Sequence, residues 1–204
     1  MSAAPPVART PRIVVELRVA GGAPDLVELT VAPRREIVRV RAADVSAVPR
    51  ACAAARAEAV ARTEAAARTE GAAHAEAAAR GPGVSILVEL AVLLAAGTGA
   101  ARQRLAELER AGRWIPPGLR YLGTPAGLAG LITDLRYVAG VDGVLLRPIS
   151  ITDVAGPLAI GTVPALEQLG VRIAPGAVRR LRPAAAPRRT VPAPRKEQPC
   201  PTPP

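Results

Sequence analysis

Residues 121–172 read YLGTPAGLAGLITDLRYVAGVDGVLLRPISITDVAGPLAIGTVPALEQLGVR. Gly123, Thr124 and Pro125 form a turn in which Thr124 is placed to cap a helix and Pro125 to occupy its first position. Leu128, Leu131, Ile132 and Leu135 then recur at helical spacing, which predicts an amphipathic helix over 125–139. Val141-Asp142-Gly143 leads into an apolar strand over 141–146, with Asp142 in a turn or capping role. Pro157 marks a second helix over 157–169, and Gly170 stops it. A helix, a strand and a helix in this order make a β-α unit.

Upstream the same alternation recurs. Ile13, Val14, Val15, Leu17 and Val19, interrupted by Glu16 and Arg18, predict a strand over 13–19 that ends at Gly21-Gly22. A short helix is expected over 25–31, before Pro33, and a second strand over 37–40. Residues 84–94 are apolar apart from Ser85 and Glu89. Their length suits helix or strand, and the Val/Ile/Leu mix with flanking glycines favours a buried strand. A charged helix over 100–110 turns Leu105 and Leu108 inward, and Trp114 with Pro116-Pro117 makes a loop. Four strands, each followed by helical sequence, predict parallel β-α units.

Between them, 47–80 reads as a long Ala-rich helix with a break at Gly71. Arg56, Arg62, Arg68, His74 and Arg80 fall six apart, as do Glu58, Glu64, Glu70 and Glu76. Six residues advance a helix by about 600°, so the charges ring it rather than leave an apolar stripe beyond the alanines. His74 therefore belongs to a solvated face.

Half the residues are apolar, enough for a sizeable core, yet there is no Phe, one Trp and two Tyr. Ala, Val and Leu must fill that core. Of 27 basic residues only Lys196 is a lysine, a bias of a GC-rich genome rather than a chemistry. The net charge of +10 is concentrated from Arg172 onward, where eight basic residues face one acid. No aromatic interleaves with those arginines, so specific nucleic-acid binding is not expected. Cys52 and Cys200 suit neither a disulfide framework nor a metal site with a single His. No segment is long and apolar enough to span a bilayer or lead secretion, and a soluble, cytoplasmic protein is expected. The organisation is then a flexible N-terminus over 1–11, an α/β domain over 12–172, and a disordered basic Pro-rich tail over 173–204.

The 121–172 stretch resembles the C-terminal end of bacterial luciferase-like flavin-dependent monooxygenases, in particular the nitrilotriacetate monooxygenase type. The strand over 13–19, the Gly21-Gly22 turn and IVRVRAAD resemble upstream strands of the same barrel, and APGAVRRLRP over 174–183 a blurred copy of its last segment. The resemblance implies a partial TIM-type (β/α) barrel of about four parallel units, the C-terminal half of a fold that needs about 250 residues when complete. It implies reduced FMN and O2 acting on a small organic substrate, a flavin reductase as the source of reduced FMN, and a homo- or hetero-dimer that completes the barrel. It assigns no catalytic residue here.

The cofactor-binding candidates are few. Ala20-Gly21-Gly22-Ala23-Pro24-Asp25 resembles the family's phosphate loop, making Gly21, Gly22 and Ala23 candidates. The family's serine is Ala23 here, and an ordinary strand-ending turn competes with this reading. Arg147, at the C-terminal end of the last strand, stands on the rim where ligands of this fold bind. The alternative to an incomplete monooxygenase is a non-catalytic truncated remnant, or a half-barrel subunit needing a partner chain.

Overall fold

The computed structural model describes residues 10–17, 24–33, 35–70, 83–138 and 140–185. Its strands are β1 (Arg12–Leu17), β2 (Asp25–Glu28), β3 (Glu36–Val40), β4 (Val84–Leu94), β5 (Arg120–Gly123) and β6 (Gly143–Pro148). Its helices are α1 (Val48–Glu70), α2 (Thr98–Arg110), α3 (Pro125–Leu135), α4 (Ile151–Pro157), α5 (Val163–Gln168) and α6 (Ala177–Ala185). A π-helical turn, Leu158–Thr162, joins α4 to α5.

The strands form one mixed sheet in the order β2-β1-β6-β4-β3. All its pairs are parallel except β1 with β2. β4 is the axis, with all eleven residues buried. One of its edges carries β6. The other carries β3 along 84–88 and then β5 along 91–94. The expected α/β architecture with parallel strands is present, but β1 lies beside β6, the last strand, and is not bonded to β3, the next parallel one. β1 and β3 are the outer parallel strands of this path, with the opening between them, and β5 stands off it on β4.

The sheet curls across that opening. Strands three places apart in a flat sheet are separated by about 14 Å. Yet Arg12 of β1 donates from Nη1 to the carbonyl of Arg35, just before β3, at 2.9 Å. Side chains alternate along each strand, so one face lines the inside of the curl. Val14, Leu87 and Leu145 meet there, with Ile37 packed against them, one residue each from β1, β4, β6 and β3. The opposite face, including Ile13, Val15, Ile86, Val88, Val144 and Leu146, is buried in the main core.

Several elements differ from the sequence reading. The expected helix over 25–31 is instead β2, whose Val27 pairs with Val15 across the free edge of β1. Leu and Glu give this segment helical propensity, but an open strand edge and alternate burial of Val27 and Leu29 outweigh it. β5 is a strand that the sequence reading does not include; β4 outlasts β3 and offers it a partner. On α1 there is an inward stripe of small residues, Val48, Cys52 and Ala59, which lets the helix lie close to the sheet. The last expected helix begins earlier, at Ile151, and contains Pro157. Pro157 lacks the N–H of a regular turn, and the π turn that follows seats Gly161 against Pro125, where a Cβ would come within 2.6 Å of the ring. Gly170 ends α5 with φ of 80°, as its position predicts.

The fold continues past Arg172, where a tail was expected from 173. Ile173 bridges Thr30, Ala174 N–H donates to the carbonyl of Leu29 at 2.7 Å, and α6 buries Ala177 and Leu181. Residues 186–204, the N-terminus over 1–9, Gly71 and His74 lie outside the described residues. No helix among the described residues is long and apolar enough to cross a membrane.

Burial under α1 pushes the Cys52 thiol above its ordinary range, against a smaller opposing effect of Arg56. The folded thiol thus holds its proton more tightly than the unfolded one, so stability present below the unfolded pKa, about 8.5, declines as pH rises beyond it. In a Cys200→Ser variant at pH 8, native protein is expected to react with a thiol reagent at least about tenfold more slowly than urea-unfolded protein. Equal rates would show that Cys52 is accessible.

Candidate functional site

β1, β3, β4 and β6 each present charge to the inside of the curl. The strands are otherwise apolar there, so the charges must find one another. Arg39 Nη1 of β3 donates to Glu16 Oε2 of β1 at 2.8 Å. Glu16 Oε1 lies 3.6 Å from Arg147 Nε of β6. Arg147 Nη1 donates to Glu89 Oε2 of β4 at 3.0 Å. Arg41, following β3, donates from Nε to the same Glu89 oxygen at 2.8 Å, and that hydrogen bond raises the Arg41 pKa. The result is a chain of alternating charge, Arg39–Glu16–Arg147–Glu89–Arg41, running over the Val14–Leu87–Leu145 layer. Its three inner members are buried, while Arg39 and Arg41 reach solvent.

Above this layer a cavity of about 220 Å³ opens at the strand ends. It is lined by Glu16 and Arg147, by Arg113 and Trp114 from the loop after α2, and by Pro116, Pro148, Ile149 and Ile151. Trp114 is 62% exposed although it is the largest side chain available for the core. The Arg147 guanidinium lies 5.8 Å from its ring centroid. Arg147 Nε is buried without a hydrogen bond.

A second cavity, about 500 Å³, lies at the seam between β1 and β3. Val14, Leu26 and Ile37 give it an apolar lining, and Arg12, Arg35 and Arg180 ring it. Arg12 is engaged there by Glu28 at 2.8 Å and Ser85 at 3.1 Å.

Of the residues singled out in the sequence, Arg147 stands at the expected rim, at the C-terminal end of β6. Gly21, Gly22 and Ala23 lie outside the described residues. The chain on either side of them is a hairpin, with Leu17 paired to Asp25, so a strand rather than a helix follows that loop. Asp142 is structural: its Oδ2 accepts from the Ile86 N–H at 2.9 Å and from Arg56 at 3.0 Å. Thr124 caps α3 as expected, accepting from the Gly127 N–H at 3.1 Å. Sequence reasoning did not single out Glu16, Glu89, Arg113 or Trp114 as site residues. A lone charge inside an apolar strand was the available signal, since such a charge must be paired across the sheet.

No family model matches the chain, and no curated protein matches it. Among solved structures it has a likeness to riboflavin lyase (RcaE), whose crystal structure holds modified FMN and the substrate riboflavin. The TM-score is 0.44 and the identity 18%, over 72% of this chain and 42% of that one. This chain therefore spans less than half the length of that protein. A likeness so distant fixes neither ligand nor chemistry.

Proposed function

We propose that the chain is the half-barrel of a luciferase-like, FMN-dependent monooxygenase, working with a second chain that completes the barrel. The observation carrying this reading is the cavity at the C-terminal ends of β1 and β6, where a parallel β-α fold gathers its ligand-binding groups. The sequence resemblance over 121–172 supplies the flavin assignment. Among the described residues no strand pairs with the outer edge of β3, and Val14, Leu26 and Ile37 line the cavity between β1 and β3, which favours pairing with another chain or copy.

The mouth at the ends of β1 and β6 is too small for FMN on the described residues alone. A cavity of about 220 Å³ is below the roughly 300 Å³ at which drug-sized ligand pockets begin. The enclosing flavin wall is assigned to the completing chain, and the cavity of this chain to the substrate. Reduced flavin, once bound, supplies the oxygen chemistry. The residues of this chain shape the mouth: Trp114 and Ile151 line it, and Glu16 and Glu89 hold Arg147 in place.

The purified full chain is expected to self-associate, to perturb the flavin spectrum when FMN is added, and to consume O2 beyond the rate of a flavin reductase with NADH alone. A monomer that leaves the flavin spectrum unchanged and adds no O2 uptake would overturn the reading. The non-catalytic alternative would then stand, favoured by the engagement of Arg147 with two carboxylates rather than with an open site.

A further inference from the structure

We infer that the seam between β1 and β3 is a docking site for a short, extended segment of a partner chain, rich in acidic and aliphatic residues. The inference rests on the reading that another chain completes the fold, and it names what that chain brings to the seam.

Backbone geometry is the first ground. Along a parallel strand, the N–H and C=O of one residue point to the same neighbouring strand, and those of the next residue point away from it. Glu36 N–H donates to the Gly83 carbonyl at 3.1 Å, on the β4 side. Ile37 and Arg39 therefore turn their N–H and C=O groups away from β4, toward the opening. Arg35 does the same, and its carbonyl accepts from the Arg12 side chain at 2.9 Å. No strand among the described residues continues the sheet past β3. The ladder positions of Ile37 and Arg39 can thus receive an added strand. Side-chain bridges cross the opening at its two ends, Arg12 to Arg35 and Arg39 to Glu16, with Ile37 between them. The free stretch is short, and so is its occupant.

The lining is the second ground. Val14, Leu26 and Ile37 face the seam cavity of about 500 Å³, and Leu26 is 38% exposed. Aliphatic side chains of an added segment would take that surface out of water. Among the charged lining residues, Arg12 and Glu28 neutralise each other at 2.8 Å. Arg35 and Arg180 also line the cavity, are exposed, and make no ion pair among the described residues; Arg180 donates to the Glu28 carbonyl at 3.2 Å. They leave two positive charges at the rim. A second copy carries the same two arginines beside its own β3, so like charges approach when two such edges meet. An acidic segment brings the complement, and it displaces a copy from this edge.

The full-length protein is titrated with a fluorophore-labelled peptide of about six residues, glutamate alternating with valine, and anisotropy is followed. Saturable binding is expected, with the glutamine–valine peptide at least about tenfold weaker and the lysine–valine peptide not bound. N-methylation of alternate peptide nitrogens keeps the charge and removes ladder donors; in at least one of the two registers it is expected to weaken binding about tenfold. Arg35→Gln combined with Arg180→Gln is expected to weaken the glutamate peptide about tenfold while leaving the melting temperature as it was. Hydrogen exchange at the Ile37 amide is expected to slow when the peptide binds. Equal binding of the glutamine peptide, equal binding of both N-methylated peptides, unchanged affinity in the double variant, unchanged exchange at Ile37, or no saturable response to millimolar glutamate peptide would each overturn the inference. Peptide binding by a protein that leaves the flavin spectrum unchanged strikes the flavin reading alone. A protein that perturbs the flavin spectrum but ignores the peptide strikes only the inference about the seam.

Discussion

Gly143→Ala is expected to unfold the protein under conditions where the parent is folded, a loss of more than about 4 kcal/mol. Gly143 opens β6 and is paired with Arg12 of β1 on one side and Leu87 of β4 on the other. A Cβ at this position would overlap the Arg12 carbonyl oxygen and stand 2.6 Å from its carbon and 2.8 Å from the Arg12 nitrogen. These are backbone atoms in a hydrogen-bonded strand, and Arg12 N–H is itself tied to the Asp142 carbonyl at 3.0 Å. No rotamer change relieves the contact; β1 must move, and Ile13, Val14 and Val15 leave the core with it. Gly130→Ala is the control. It lies in α3 with open space where its Cβ would be, and is expected to stabilise by about 0.5–1 kcal/mol. Urea unfolding measures both, and a Gly143→Ala midpoint close to that of the parent would refute the close-approach argument.

Arg147→Met is expected to cost about 3 kcal/mol, the lower end for breaking a buried ion pair. Removing the guanidinium leaves Glu16 and Glu89 in the interior, paired among the described residues with Arg39 and Arg41. Those two are partly in water, with side-chain exposures of 38% and 66%, and neutralise less effectively than the buried centre. The cost therefore belongs to stranded carboxylates more than to a lost attraction. The triple variant with Glu16→Gln and Glu89→Gln should recover half or more of the loss, since neutral amides no longer need the cation. A loss below about 1 kcal/mol for Arg147→Met would show that the two carboxylates are solvated.

The four longer parallel strands were legible because each carries a run rich in β-branched and aliphatic residues. The α3 start was legible too, since Thr124-Pro125 is a local signal. β2 was not: DLVELTV has helical residues, and only the free edge of β1, a tertiary fact, makes it a strand. β5 is four residues long, too short for periodicity, and exists because β4 extends beyond β3. The candidate site was half legible. Arg147 could be placed at a strand end from sequence, whereas its partners Glu16 and Glu89 lie 131 and 58 positions away. No local pattern announces that distance. Trp114 is a loop residue in sequence and structure alike, and no local signal places it beside Arg147.

The neighbour relation of β1 and β6 governs the order of assembly. Loop closure costs grow only slowly with length, but the closing strand must exist before it can pair. As the chain is synthesised, β1 has no parallel partner until residues 143–148 have emerged. Through that interval β2 is the only described strand that pairs with it. The early hairpin thus covers one edge of an apolar strand during the period when the other is open to aggregation. Weakening it, for instance with a proline in place of Val27, would lower the yield of folded protein during synthesis by more than the loss of native stability alone accounts for.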